Sequence, residues 1–292
     1  MGKIGIVILN WNNFLATINL IDNIMDNIGG EFVYKLYVVD NGSEDNSVNI
    51  IKEHLSRYPE SLFQVIESDI NLGYAQGNNL GIEECIKEEC EYITILNNDI
   101  ILKASIFEEM ADFLSLNDDI GLVTPKILNE DQSIQKWCAR KETKIIHRFV
   151  VYSPLQRLLS KTKTYQEYFY DVQMMDSPTE IELFSGAAFM MKREIFERVK
   201  MFDPNTFLYE EELILAHKIR AIDKKIYLLP KVSVIHEDGG TTSRLGLIKY
   251  KYMLESEDYY LNKYAEERFL FFKKVTLKLF RNVIFLLKKC KA

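Results

Sequence analysis

Three times within its first hundred residues this chain carries a short apolar run that stops abruptly at Asn or Asp, and that repetition narrows the possible folds more than any other feature. Ile4-Gly5-Ile6-Val7-Ile8-Leu9 stops at Asn10-Trp11-Asn12-Asn13. A run that begins at about Tyr34 and passes through Leu36, Val38 and Val39 stops at Asp40-Asn41-Gly42-Ser43. Tyr92-Ile93-Thr94-Ile95-Leu96 stops at Asn97-Asn98-Asp99. Continuous apolar runs of this kind mark strands covered on both faces, and the segments between them have helical periodicity. Asp45 and Ser47 stand where a helix cap is needed. Asn71-Leu72-Gly73-Tyr74-Ala75-Gln76-Gly77-Asn78-Asn79 opens a helix that should end near Cys90. Strand and helix in alternation predict an α/β fold with a mostly parallel sheet flanked by helices. Ligands of such sheets bind beyond the carboxyl ends of the strands, which is where Asp40 and Asp99 fall. Taken singly, each of these polar stretches is more often a plain turn, because Asn, Asp and Gly all favour tight turns.

Composition removes several function classes. Of the 292 residues 47% are hydrophobic, enough for a sizeable core, and the length allows one or two domains. The formal net charge of −7 argues against general nucleic-acid binding. Cys85, Cys90, Cys138 and Cys290 form no C-x-x-C pair, so neither a zinc site nor a disulfide framework is indicated. The first apolar run is too short for a secretory signal and reads as a strand. No run of about 18 apolar residues is present to span a bilayer.

In order along the chain stand Asn10-Trp11-Asn12, Asp40-Asn41-Gly42-Ser43, Asn71-Leu72-Gly73-Tyr74-Ala75, Leu96-Asn97-Asn98-Asp99, Ser185-Gly186-Ala187, Phe202-Asp203, Phe207-Leu208-Tyr209 with Glu211-Glu212, and His236. This series resembles family-two glycosyltransferases of the GT-A fold, and within them the bacterial rhamnosyltransferase-like branch; it spans roughly residues 3 to 243. The resemblance implies a Rossmann-like mixed sheet, a UDP- or dTDP-linked nucleotide-diphosphate sugar as donor, and Mg2+ or Mn2+ as cofactor. Asp99 matches the last acid of the family's Asp-x-Asp element and would hold the metal, a role that hard carboxylate oxygens suit. Asn97 stands at the earlier acidic position of that element and carries no charge. His236, just before Glu237-Asp238-Gly239-Gly240, matches a late histidine that completes the metal shell or touches the diphosphate.

By the same resemblance Asp40 matches the acid that hydrogen-bonds the nucleotide base, with Asn10 and Asn12 lining the same pocket. Asn71, Gly73, Gly77, Asn78 and Asn98 complete the nucleotide-binding set, the glycines letting backbone approach ribose and phosphate. Ser185, Gly186 and Ala187 match a small-residue segment beside the donor sugar and acceptor. Glu211 and Glu212 align with the family's Glu-Asp pair, which makes Glu212 the expected base and Glu211 the next candidate. A second acid of the family pattern is replaced by Ile214. Carboxylates crowded at a helix start raise one another's pKa, which suits a base near neutrality. They are equally the residues that a helix dipole favours there.

Residues 137–176 depart most from the family core. They mix Arg140, Lys141, Lys144, His147, Arg148 and Arg157 with Trp137, Phe149, Tyr152, Tyr165, Tyr168 and Tyr170, and read as an acceptor lid or as a solvated insertion. From Arg268 onward the chain has basic residues and no acid. On a helix, Lys274, Lys278, Arg281 and Lys288 line one stripe, and Phe272, Val275, Leu279, Val283, Leu286 and Leu287 the opposite one. Such a helix reads as an anchor on an anionic membrane surface, or as an element packed on the domain or on a second subunit. The expectation is therefore a GT-A domain over residues 1–244 with a helical extension over 245–292, cytoplasmic and peripheral on the inner face of the cytoplasmic membrane, with a homo-oligomer left open. It would be an inverting, metal-dependent enzyme that moves a sugar to a saccharide or lipid-linked saccharide in bacterial surface polysaccharide synthesis. The alternative is a catalytically weak or inactive nucleotide-sugar binder of the same fold, motivated by Asn97, Ile214 and the missing Asp. A nucleotidyltransferase is disfavoured, because residues 9–14 contain neither Gly nor a basic residue for a phosphate loop.

Overall fold

The apolar runs become adjacent parallel strands. β1 (Lys3–Asn10), β2 (Val33–Asn41), β3 (Phe63–Ser68) and β4 (Tyr92–Asn97) lie in the spatial order β3-β2-β1-β4, with every neighbour parallel. Between them run α1 (Phe14–Asn27), α2 (Ser47–Leu55) and α3 (Gly73–Lys87). The computed structural model describes residues 2–237 and 246–289, with backbone only at 246–247 and 285–289. Ile6, Ile8, Leu36, Val38, Ile93 and Ile95 are all fully buried, which is why these strands read as unbroken apolar runs. The helix α3 ends at Lys87, short of Cys90. Glu89 takes a left-handed backbone (φ 55°), and the Cys90 N–H returns to Cys85 O at 2.9 Å, so the helix is closed before Cys90 is reached.

The second half of the sheet is mixed. After β5 (Ile100–Leu102) and α4 (Phe107–Ser115) come β6 (Ile120–Leu128), the short β7 (Ala139–Arg140), and α5 (Ile145–Val150), α6 (Gln156–Leu159) and α7 (Lys163–Gln166). Then follow β8 (Thr179–Glu180), β9 (Leu183–Phe184), β10 (Ala188–Lys192), α8 (Arg193–Val199), α9 (Glu211–Arg220), β11 (Lys225–His236), α10 (Gly246–Lys263) and α11 (Leu270–Lys289). The sheet continues β4-β10-β6-β11-β5, with β10 antiparallel to both neighbours, β11 parallel to β6, and β5 antiparallel to β11. This is the curled, mostly parallel mixed sheet flanked by helices that the alternation predicts. The segments on either side of Pro230 form one strand whose register with β6 shifts between Leu229 and Ser233, since proline has no N–H to give the ladder.

The insertion 137–176 is a packed element. β7 pairs with β9, and Val151, Tyr165 and Tyr168 form a small second apolar cluster. Arg140 and Arg148 are buried inside it, so two of its cations are not at the surface. The C-terminal helices also pack on the domain: Tyr260, Leu261 and Leu277 join the main core. The two-stripe reading of α11 changes at Arg281, which is only 2% exposed and paired with Glu257. The apolar stripe, by contrast, faces outward, with Phe272 70% and Leu279 62% exposed. Leu286, Leu287 and Lys288 have side chains outside the described residues, as does the Gly239-Gly240 segment after His236. Cys85, Cys90 and Cys138 are free and buried, and Cys290 lies outside the described residues.

Candidate active site

The carboxyl ends of β1, β2 and β4 finish side by side, with Asn10 in register with Asp40 and Leu9 with Asn97. Asn10 and Asp40 are both buried there. Asn10 Nδ2 donates to Asp40 Oδ2 at 2.8 Å, and the Ser43 N–H donates to Asp40 Oδ1 at 2.9 Å. Thr17 Oγ1 donates to Asn10 Oδ1 at 2.8 Å, and Asn98 Nδ2 donates to Thr17 Oγ1 at 3.0 Å. Asn12 joins through its side-chain oxygen, which accepts the Glu44 N–H at 2.8 Å. Asn10, Asn12, Asp40 and Asn98 are thus brought together as one hydrogen-bonded clamp.

A second clamp fixes the start of α3. Asn41 Nδ2 donates to Asn71 Oδ1 at 3.0 Å and to Gly73 O at 3.1 Å, while Asn71 Oδ1 accepts the Gly73 N–H at 2.8 Å. Gly73 has φ +79°, and a Cβ there would stand 2.2 Å from Phe207 O, so the glycine is required by both backbone and space. Gly77 and Asn78 lie further along α3, in its contact with the sheet. A Cβ at Gly77 would meet Leu9 Cδ1 at 2.7 Å, and Asn78 Nδ2 donates to Tyr74 O at 2.9 Å.

Asp99 and His236 meet at the other side of the sheet edge. The antiparallel register of β5 with β11 pairs Ile100 with His236, which sets the imidazole beside Asp99. His236 Nε2 lies 3.1 Å from Asp99 Oδ1, but off the line of a hydrogen bond, so this buried carboxylate oxygen has no hydrogen-bond partner among the described residues. Asn97 Nδ2 approaches the same ring nitrogen at 3.5 Å. Gln135 orients the histidine from behind: its Oε1 is 3.3 Å from His236 Nδ1, and its Nε2 donates to His236 O at 3.0 Å. No sequence signal marked Gln135. Among the described residues no three His, Cys, Asp or Glu side chains gather in one place. An unsatisfied carboxylate oxygen beside an imidazole fits a divalent cation that takes its other ligands from substrate and water.

The carboxylates at the start of α9 face the segment Ser185-Gly186-Ala187. Glu212 Oε1 accepts the Gly186 N–H at 3.2 Å, and a Cβ on Gly186 would press on that carboxylate at 2.8 Å. Ala187 O in turn accepts the Asn97 N–H at 2.8 Å, which ties this segment to the end of β4. Glu211 is buried, and its Oε1 has no hydrogen-bond partner among the described residues. Burial first, then the charge of Glu212, pushes the Glu211 carboxyl well above the usual carboxylate range. Tyr209 and Glu210, just before the helix, both take left-handed backbone (φ 73° and 71°), a conformation that costs about 1–3 kcal/mol at a non-glycine residue.

Tyr74 sits at the centre of these parts. Its N–H donates to Phe207 O at 2.9 Å, and its hydroxyl donates to Gly186 O at 2.7 Å. Enclosure in protein, then the charges of Glu212, Glu211 and Asp99, push that hydroxyl well above its ordinary range. One tyrosine therefore senses all three carboxylates. The sequence flagged it only as one residue of a Gly-rich stretch.

A family profile described as "Glycosyl transferase family 2" matches residues 6–200, and the chain belongs to that family. Comparison with curated proteins returned no match. Among solved structures, GalNAc-T7 with UDP, GalNAc and Mn2+ is similar at a TM-score of 0.61 and 17% identity, covering 97% of this chain and 55% of that one. The chain thus spans about half the length of that relative. A mannosyltransferase from Pyrobaculum calidifontis in complex with GDP-Man and Mn2+ is similar at a TM-score of 0.58 and 13% identity, covering 98% of this chain and 73% of that one. Residues 1–349 of S. aureus TarS give a TM-score of 0.55 at 13% identity, covering 91% of this chain and 67% of that one. At these identities the likeness shows the fold.

Proposed function

We propose that this chain is an inverting glycosyltransferase that moves a sugar from a UDP- or dTDP-linked donor to a saccharide or lipid-linked saccharide in bacterial surface polysaccharide synthesis. The observation that carries the reading is the convergence of Asp99, His236 and the Glu211–Glu212 pair around Tyr74, on the edge where β1, β2 and β4 end. Mg2+ or Mn2+ held by Asp99 and His236 would neutralise charge on the departing diphosphate; two of the structural relatives were crystallised with Mn2+ and a nucleotide or nucleotide sugar, which supports that assignment. Glu212, turned toward Gly186, takes the proton of the acceptor hydroxyl. The hydroxyl oxygen bonds to the anomeric carbon as the bond from that carbon to the diphosphate breaks, and the electron pair leaves with the nucleotide. Burial, then the neighbouring Glu212, raises the Glu211 carboxyl above its usual range, which disfavours Glu211 as the charged group that accepts the proton. The test is a panel of nucleotide sugars with Mn2+ and a saccharide acceptor. Product of inverted anomeric configuration is expected, and binding without release of nucleotide diphosphate would reduce the protein to a nucleotide-sugar binder.

The same reading includes attachment to an anionic membrane surface through α11. Among the described residues no helix is long and apolar enough to cross a membrane. The exposed face of α11 carries Phe271, Phe272, Val275, Leu279 and Val283, with Lys273, Lys274 and Lys278 on the same helix, a combination suited to acyl chains and anionic head groups. Because Leu277 and Arg281 are built into the domain, truncation would confuse anchoring with stability. Replacing Phe272 and Leu279 with Ser is the cleaner test. Binding to anionic vesicles should fall while the melting temperature holds, and unchanged vesicle binding would rule out this face as the anchor.

A further inference from the structure

The segment that presents Glu211 and Glu212 is held from one side by a chain of four charges, three of them buried and Glu210 partly so, that the proposed chemistry does not use. Arg148 of α5 grips Glu210 with both guanidinium arms, Nη1 to Oε1 at 2.6 Å and Nη2 to Oε2 at 2.9 Å. The same Nη1 reaches Glu257 Oε1 of α10 at 3.2 Å. Glu257 is held on its other flank by Arg281 of α11, Nε to Oε2 at 3.1 Å and Nη2 to Oε1 at 2.8 Å. Arg281 Nη1 finally donates to Tyr152 O at 2.6 Å, which closes the chain back onto the insertion. Arg148 and Arg281 are each 2% exposed and Glu257 5%, so these are desolvated charges rather than a surface ladder.

Buried ion pairs are poor sources of stability, since desolvation offsets most of the attraction, yet they fix geometry strictly and cost much when one partner is lost. Here the fixed geometry is that of Glu210, the residue directly before the site carboxylates, in a backbone conformation that non-glycine residues avoid. Beside the Tyr74 N–H on Phe207 O, two contacts support the segment from the C-terminal part: Ser256 Oγ donates to Leu208 O at 2.9 Å, and the rings of Phe207 and Tyr252 stand 4.2 Å apart. Both come from α10. The C-terminal helices are therefore one side of the scaffold that holds this strained turn, with α3 on another through Tyr74.

We propose that Arg148 and Arg281 are positioning residues: through Glu257 and Glu210 they hold the 207–212 turn so that Glu211 and Glu212 face the reacting centre, and this makes the C-terminal helix part of the catalytic apparatus. The role of the carboxylates rests on the function proposed above; the holding of the turn does not. A misplacement of a catalytic group by about 1 Å costs up to about 100-fold in rate, so the effect belongs in kcat rather than in donor affinity.

The experiment uses the full chain and the variants E210Q, R148M and R281M. E210Q removes the bidentate pair yet leaves Arg148 on Glu257, so it stays readable if R148M fails to fold. The expected result is a kcat lowered about 10- to 100-fold in E210Q and R148M and less in R281M, with the KM for donor within about twofold. The E210Q/R148M double variant should be no worse than the worse single one, because both break one linkage. Hydrogen exchange of the amides of residues 207–212 should quicken at least about tenfold in E210Q and R281M, a readout independent of turnover. Exchange in that turn unchanged in the folded variants overturns the positioning role, whether or not the wild type turns over. Unchanged kcat in E210Q, with an active wild type, overturns it as well. An inactive wild type with quickened exchange removes the proposed transfer reaction and leaves the mechanical linkage standing.

Discussion

The two sides of the strand edge are built on opposite rules. On the β1–β2 side the strand-end polar groups are answered within the protein: both Asp40 oxygens are occupied, by Asn10 and Ser43, and Asn41 spans Asn71 and Gly73. On the β4–α9 side, buried acceptors are left over. Among the described residues Asp99 Oδ1 and Glu211 Oε1 have no hydrogen-bond partner, although each lies in a dense, enclosed region. Buried polar atoms are nearly always satisfied, and the reading proposed above puts its cation at the first of these two oxygens and its proton transfer beside the second. The satisfied side contributes rigidity, and the unsatisfied side stores the capacity for chemistry. Substitutions on the two sides should therefore fail differently.

The largest effect is expected at Glu212. Glu212→Gln keeps volume and the contact with Gly186 but cannot take a proton, so kcat should fall by about two to four orders of magnitude with donor affinity kept. Steady-state kinetics of Glu211→Gln in parallel decides the assignment. If that variant shows the large drop and Glu212→Gln does not, the base is the buried carboxylate. Next comes Asp99→Asn, which removes a hard anionic ligand at nearly constant volume. Metal-dependent turnover should fall by at least about tenfold, equal to 1.4 kcal/mol of barrier, while the fold persists. A melting temperature lowered as much as the activity would show that Asp99 belongs to the satisfied side instead.

The contrast also explains what was legible in the sequence. Continuous burial makes β1, β2 and β4 apolar along their whole length, so their strand character and their polar ends could be read directly. The neighbourhood of Asp99 and His236 could not, because it depends on the pairing of β5 with β11, and β5 has only three residues. Resemblance supplied both residues; only the antiparallel register supplies their contact. Arg148 and Glu210 are 62 positions apart in the chain, and an arginine among other cations of the insertion gives no hint that it is buried. In α11, periodicity drew a basic stripe and an apolar one, but hydropathy cannot show which residues are covered, and the basic stripe is split, with Lys278 exposed and Arg281 buried beside Leu277 and Ile284. Arg281 is under protein and Phe272 is outside.

On the satisfied side, the test is Asp40→Ala. It strips the acceptor from two donors, Asn10 Nδ2 and the Ser43 N–H, and an unmet buried donor costs about 1–3 kcal/mol. Urea denaturation should show a loss of that size. If stability is untouched while donor affinity collapses, Asp40 acts as a ligand-reading acid, and the clamp is incidental to it.

The smallest effect, and the one that most sharpens the comparison, is the pH dependence of Glu211→Gln. The folded protein raises the Glu211 carboxyl well above its ordinary value of 4.5, chiefly by burial and then by Glu212. Below that ordinary value Glu211 is protonated in both folded and unfolded chains and costs nothing. As pH rises past it, the unfolded chain releases the proton while the folded chain still holds it. The unfolded state then binds fewer protons, so stability falls with increasing pH until the folded carboxyl also ionises. Glutamine has no proton to lose. Melting curves of wild type and Glu211→Gln should coincide near pH 4 and separate toward neutrality, with the variant the more stable. Titrating groups remote from Glu211 are common to both proteins and cancel in the difference. Curves that stay parallel from pH 4 to 8 would mean that the Glu211 carboxyl ionises equally in folded and unfolded chains, and that its burial does not disfavour its charge.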